Sequence, residues 1–101
     1  MAEQTYISLE RLREYGWSLW DPGGLAGAGG ERDAYDPYLI GLVNRLRRGA
    51  SNSAGVRYLM TAEAEAMGLS SGPNSRETAR ALVAAVKAYL AEFPDKPLEI
   101  R

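Results

Sequence analysis

The sequence of 101 residues contains no cysteine and no histidine. Without cysteine, a disulfide framework, a thiolate nucleophile and every cysteine metal site are excluded. Without histidine, the commonest general base and the commonest transition-metal ligand are missing, so a metal would have to rely on oxygen ligands. An excess of either charge is missing too: 12 basic against 13 acidic residues leave a formal net charge of −1. That balance argues against a nucleic-acid partner and against a polybasic membrane anchor. No apolar run approaches the roughly 18 residues that a membrane span needs. The opening segment MAEQTYISLERLREYG carries acids early and has no apolar centre, unlike a secretory signal. The expectation is a soluble, cytoplasmic protein that binds neither nucleic acid nor membrane.

The residues that are present describe one helical domain. A hydrophobic fraction of 46% and a charged fraction of 25% are those of a folded globule. A first helix is predicted over 9–20, capped by Thr5 or Ser8. Leu9, Leu12, Gly16, Leu19 and Trp20 share one face at about 100° per residue, and Asp21-Pro22 stops it. A second helix is predicted over 37–48. Asp36 is its expected N-cap and Pro37 its first residue; Leu39, Leu42, Val43 and Leu46 face inward, and Gly49 is the stop. A third, over 54–67, follows the capping cluster Ser51-Asn52-Ser53 and points Val56, Leu59, Met60 and Met67 to one side. The fourth and longest, over 76–93, carries Ala79, Leu82, Val83, Val86, Tyr89, Leu90 and Phe93 on one face. Asn74 with Glu77 fits a capping box there, with Ser75 as the rival cap. The predicted fold is therefore all-α, a single domain over 1–101 built as a small bundle of about four helices. In the tail, 94–101, Leu98 and Ile100 alternate with charges, but four helices offer such a segment no sheet to join.

Between the first two helices lies a long loop, 22–36. Five of the eleven glycines fall between positions 23 and 30, and so many resist both helix and strand because glycine loses the most backbone entropy on ordering. A phosphate-binding reading needs a preceding strand and a following lysine. Here a helix precedes the loop and Glu31 follows it, so a flexible connector is the better reading. Asp21, Glu31, Asp33 and Asp36 flank the loop and could offer oxygen ligands to Ca²⁺ or Mg²⁺. Their spacing is not that of an EF-hand, and a helix-to-proline turn explains Asp21 while capping explains Asp36. No metal site and no cofactor is assigned. Arg45, Arg47 and Arg48 fill the last turns of the second helix, where they complement its dipole without a ligand.

Two features point to function. Aromatics gather on both sides of the loop: Tyr15, Trp17 and Trp20 before it, Tyr35 and Tyr38 after it. Trp and Tyr are ordinary core residues and are also enriched at binding hot spots. Trp20 reads as core and Trp17 as exposed. Packing is the favoured role of the group, and Trp17, Trp20, Asp21, Tyr35, Asp36 and Tyr38 form the candidate partner-binding set. The second feature is Glu63, which falls at about 340° on a helical wheel with Val56 at zero, in the middle of the apolar stripe. A carboxylate there is expensive unless it is hydrogen-bonded. It is expected to be a buried polar anchor held by an indole, a tyrosine or an arginine, structural rather than catalytic. No catalytic residue is assigned.

The segments Trp17-Ser18-Leu19-Trp20-Asp21-Pro22-Gly23-Gly24 and Asp33-Ala34-Tyr35-Asp36-Pro37-Tyr38, followed by Gly49-Ala50-Ser51, Tyr58-Leu59 and Met67-Gly68-Leu69, resemble a family of small bacterial proteins of unknown function. Its pattern is W-x-x-W-D-P-x-G followed by D-x-Y-D-x-Y. The likeness covers roughly 15–69, and the chain departs from it in its glycine-rich insertion and alanine-rich last helix. The resemblance implies a small cytoplasmic helical domain; some members resemble accessory or immunity proteins of toxin systems. Three classes of function follow: a module that binds another protein, a protein that associates with itself, and a small carboxylate enzyme. The first is preferred and the last least favoured.

Overall fold

The computed structural model describes residues 6–21, 31–66, 74–93 and 99–101. It is an all-α bundle of four helices with very little strand. In chain order these are β1 (Tyr6–Ile7), α1 (Leu9–Tyr15) running into a π-helical turn (Gly16–Trp20), and α2 (Asp36–Arg47). Then come α3 (Asn52–Thr61) running into a second π-helical turn (Ala62–Ala66), α4 (Ser75–Leu90) and β2 (Glu99–Ile100).

The helix ends follow local chemistry. Ser8 caps α1, its hydroxyl oxygen accepting from the Arg11 amide at 3.3 Å. Ser51 caps α3 in the same way, from the Ala54 amide at 3.1 Å, so that helix starts at Asn52, earlier than the sequence pattern implied. After α2 the chain takes a left-handed residue at Gly49 (φ 94°). The Gly49 amide then reaches the Leu46 carbonyl and the Ala50 amide the Arg45 carbonyl, both at 3.0 Å, which satisfies two carbonyls the helix end would leave bare.

Two expected caps are corrected. Asp36 is not the N-cap of α2 but its first residue; Tyr35 holds the cap position and makes no side-chain cap bond. Arg13 takes the Asp36 carboxylate through a two-pronged contact of 3.0 and 2.7 Å. A charged fork of this kind outcompetes a single amide for the same oxygens. At α4, Asn74 occupies the cap position without a side-chain bond, so the capping box with Glu77 does not form; the Asn74 backbone carbonyl instead accepts from the amide and hydroxyl of Thr78.

A third correction concerns the tail. Residues 99–100 do find a strand: β2 pairs in parallel with β1, Tyr6 beside Glu99 and Ile7 beside Ile100. The Arg101 amide donates to the Ile7 carbonyl at 2.7 Å and the Leu9 amide to the Arg101 carbonyl at 3.0 Å. Ile7 is fully buried and seats this pair on the core. The tail's partner lies at the other end of the chain, which helix-by-helix reading does not search.

The core runs through all four helices: Leu12 and Trp20, then Leu39, Leu42 and Val43, then Val56 and Leu59, then Ala79, Leu82, Val83, Val86 and Tyr89. α4 supplies the most because its apolar residues recur every three or four positions along 16 residues. Its end comes at Leu90, before the predicted Phe93, whose ring still packs on Tyr89 at 5.4 Å. The glycine-rich stretch 22–30, and Met67, Gly68 and Leu69, lie outside the described residues. No helix among the described residues is long and apolar enough to cross a membrane.

Candidate functional site

The aromatic set comes together, but inward. The π-turn after α1 closes with the Asp21 amide donating to the Gly16 carbonyl at 2.7 Å, a five-residue step. Trp20 ends that turn inside the core, 3% exposed, on the face the helical wheel assigned it. Tyr35 is 2% exposed, its ring 5.5 Å from Trp20 and 5.0 Å from Trp17. Tyr38 meets Trp20 edge-on at 6.3 Å. The polar tips are engaged as well. The Tyr35 hydroxyl donates to Asp21 Oδ1 at 2.7 Å, and the Trp17 indole donates to the Arg32 carbonyl at 2.9 Å. Trp17 is half-buried on Tyr35 rather than exposed as expected. Asp21 sits in the left-handed region (φ 31°), which aspartate tolerates better than most residues. Of the six candidate partner-binding residues, five thus form an internal knot that joins the end of α1 to the start of α2. The sixth, Asp36, turns away to Arg13.

Glu63 belongs to the same knot from the other side. It lies in the second π-turn and is 4% exposed. Burial pushes its carboxyl above the usual glutamate range, opposed by hydrogen bonding to the charged form from the Ser75 hydroxyl and by the Trp20 indole. The indole lies close enough to favour the carboxylate. Even so, Trp20 Nε1 and Glu63 Oε2 are both enclosed and neither has a hydrogen bond of good geometry among the described residues. The two π-turns therefore meet through one acid and one indole. The indole was among the expected holders of Glu63; Ser75, read as a helix cap, was not.

Arg45 stacks on the Tyr58 ring at 3.8 Å and donates to the Gly41 carbonyl. Gly41 makes this possible, because a Cβ there would collide with the Tyr58 hydroxyl. Burial raises the Tyr58 phenol above its ordinary value, opposed by Arg45. This is a packing role that needs no ligand. Among the described residues no three acids gather as a metal site requires.

A concave surface lies elsewhere, along the seam between α3 and α4. A trench of about 550 Å³ runs there. Val56 and Val83, both core residues, close its floor. Arg57 forms one wall and Arg76 and Arg80 the other, with Ala84 beyond them; Asn52 and Ser53 stand at the start of α3. Lys87 reaches Asn52 Oδ1 at 2.7 Å and adds a fourth positive charge beside the trench. Arg57, Arg76 and Arg80 are all exposed, and among the described residues none makes a hydrogen bond, an ion pair or a ring contact.

The sequence carried a signal for this trench that residue type alone does not give. Arg57 has no acid three or four residues away on its helix, and neither has Arg76. Arg76 and Arg80 are themselves a like-charge pair four residues apart, an arrangement that costs an isolated helix a few tenths of a kcal/mol. Arg80 does have an acid at that spacing, Glu77; the lone Arg57 and Arg76 on two successive helices were readable, but that the helices set all three charges on one seam was not.

Compared with known proteins, the chain matches no family model, no curated protein sequence and no solved structure.

Proposed function

We propose that this protein is a small protein-interaction module, of the accessory or toxin-neutralising kind, and that it engages its partner through the α3–α4 seam rather than through the aromatic set. The observation that carries this reading is the trench with three arginines that have no partner among the described residues. Charged groups left unpaired along one concavity favour a complementary surface and speed encounter with it. The aromatic knot supports the reading indirectly. By tying α1 to α2 and receiving Glu63 from beyond α3, it acts as the scaffold on which α3 and α4 hold their seam open. The resemblance to small helical bacterial proteins belongs to the same proposal, since Trp17, Trp20, Asp21, Tyr35 and Tyr38 of the shared pattern are residues of the knot.

Site-specific photo-cross-linking in the source cells tests it. A cross-linking side chain at Ser53 or Ala84 is expected to capture one protein, identifiable by mass spectrometry. The same side chain at exposed Glu14 on α1 is not. The adduct is expected to vanish when Arg57, Arg76 and Arg80 are all changed to Glu. Absence of an adduct at the trench, or one that survives the charge reversal, refutes the reading. An adduct between two copies of this chain replaces it with self-association.

A further inference from the structure

We infer that the α3–α4 trench receives an acidic segment of a partner protein, with carboxylates spaced about 6 Å apart along its length; this rests on the interaction-module reading and names the partner's chemistry. The spacing comes from α4. Arg76 and Arg80 lie one turn apart on one face, and four residues rise about 6 Å along a helix. Arg57 faces them from α3 across the seam. Guanidinium groups present paired N–H donors that match a carboxylate edge-on, and the match relieves the like-charge repulsion between Arg76 and Arg80.

The trench chooses by charge, because its floor has little to give. Val56 and Val83 are already 5% and 1% exposed, so a partner seated above them gains little apolar burial. An acidic protein segment fits better than a nucleic acid because the lining offers bases nothing to stack on. Among the described residues no aromatic side chain lines the trench to stack a base.

Titration of the ¹⁵N-labelled protein, followed by NMR, tests the inference with four probes: a twelve-residue peptide of alternating Glu and Ala, its Gln counterpart, a single-stranded oligonucleotide and tripolyphosphate. The Glu peptide is expected to shift the amides of Ser53, Arg57, Arg76, Arg80 and Ala84 saturably and leave those of Trp17 and Tyr35 in place. Its Kd is expected to rise at least tenfold in the protein with Arg57, Arg76 and Arg80 changed to Gln. It is also expected to rise steeply between about 0.1 and 1 M salt, where the Debye length falls from ~10 to ~3 Å. The Gln peptide, which leaves the protein untouched, is expected to produce no shifts. Equal binding of the Gln peptide, or equal binding of the Glu peptide by the triple Gln variant, overturns the inference. So do stronger shifts of the same amides by the oligonucleotide or by tripolyphosphate, which make the trench a phosphate site. If cross-linking captures a partner at the trench while the Glu peptide causes no shift, the acidic segment is wrong and the interaction module stands. If the Glu peptide binds while cross-linking finds nothing, the anion site stands and the module reading falls.

Discussion

The aromatic knot and the arginine trench are opposites. The knot holds the residue types most often found at binding sites, yet the rings of Trp20 and Tyr35 are buried and the Tyr35 hydroxyl and Trp17 indole already have acceptors. The trench holds solvated arginines of a kind found on any helix surface, yet those at 57, 76 and 80 have no partner among the described residues. The difference teaches that a binding surface is recognised by bonding capacity left unused, more than by residue type. Tryptophan and tyrosine bury large areas and serve a core as readily as an interface. An arginine that has found neither an acid nor a ring nor a carbonyl keeps all five of its donors.

Substitutions can break this contrast. The largest effect is expected from Trp20→Ala or Tyr35→Ala, each of which should lower stability by about 3–5 kcal/mol, as loss of a buried aromatic does. Chemical denaturation reads this directly, and a loss below about 1 kcal/mol would mean the knot is not core. Glu63→Ala comes next. It should cost about 1–3 kcal/mol by taking the carboxyl away from the Ser75 hydroxyl and from the enclosed site beside the Trp20 indole, and an unchanged melting temperature would remove Glu63 from its anchoring role.

Glu63→Gln separates the charge of that residue from its shape. Because burial raises the carboxyl above its ordinary 4.5, the folded protein holds that proton more tightly than the unfolded chain does. Stability from this group is therefore fullest below about 4.5 and is lost as pH rises through the raised folded value. The Gln variant should lose that slope. It should gain on the wild type as pH rises from 4.5 to neutrality, and parallel pH–stability curves would contradict this. Tyr35→Phe is a smaller change that keeps the ring and removes the bond to Asp21, for about 0.5–1.5 kcal/mol. At the bottom of the scale, changing Arg57, Arg76 and Arg80 to Gln should leave the melting temperature where it was while abolishing partner binding. A large loss of stability there would place those arginines in the fold and erase the contrast.

The sequence made the helices legible because each carries a local signature. Ser8 and Ser51 cap, Gly49 stops, and the 3.6-residue stripe of α4 survives as the spine of the core. It misled where the decisive contact lay far along the chain. Asp36 reads as a cap until Arg13, 23 positions earlier, takes its carboxylate. The tail reads as unpaired until residues 6–7 lie beside residues 99–100. Trp17 reads as exposed until the Tyr35 ring and the Arg32 carbonyl, from beyond the loop, come to cover it. Glu63 stood out in the stripe, but the identity of one of its holders, Ser75, depended on how the end of α3 meets the start of α4. The trench escaped for the same reason: each arginine was visible singly, and only antiparallel packing of two helices puts three on one seam.

The pairing of residues 6–7 with 99–100 has a mechanical consequence. Parallel strands pulled from the outer end of one and the far end of the other are loaded along their length, so their hydrogen bonds must fail together instead of opening one by one. Force applied at Tyr6 and Arg101 meets this joint first. The bonds from the Arg101 and Leu9 backbone, and the one from the Ser8 amide to the Tyr89 hydroxyl at 2.9 Å, bear the load before any helix feels it. A few bonds at the seam thus act as a latch for the whole bundle, and stretching a single molecule should give one abrupt rupture instead of a gradual unravelling from either end.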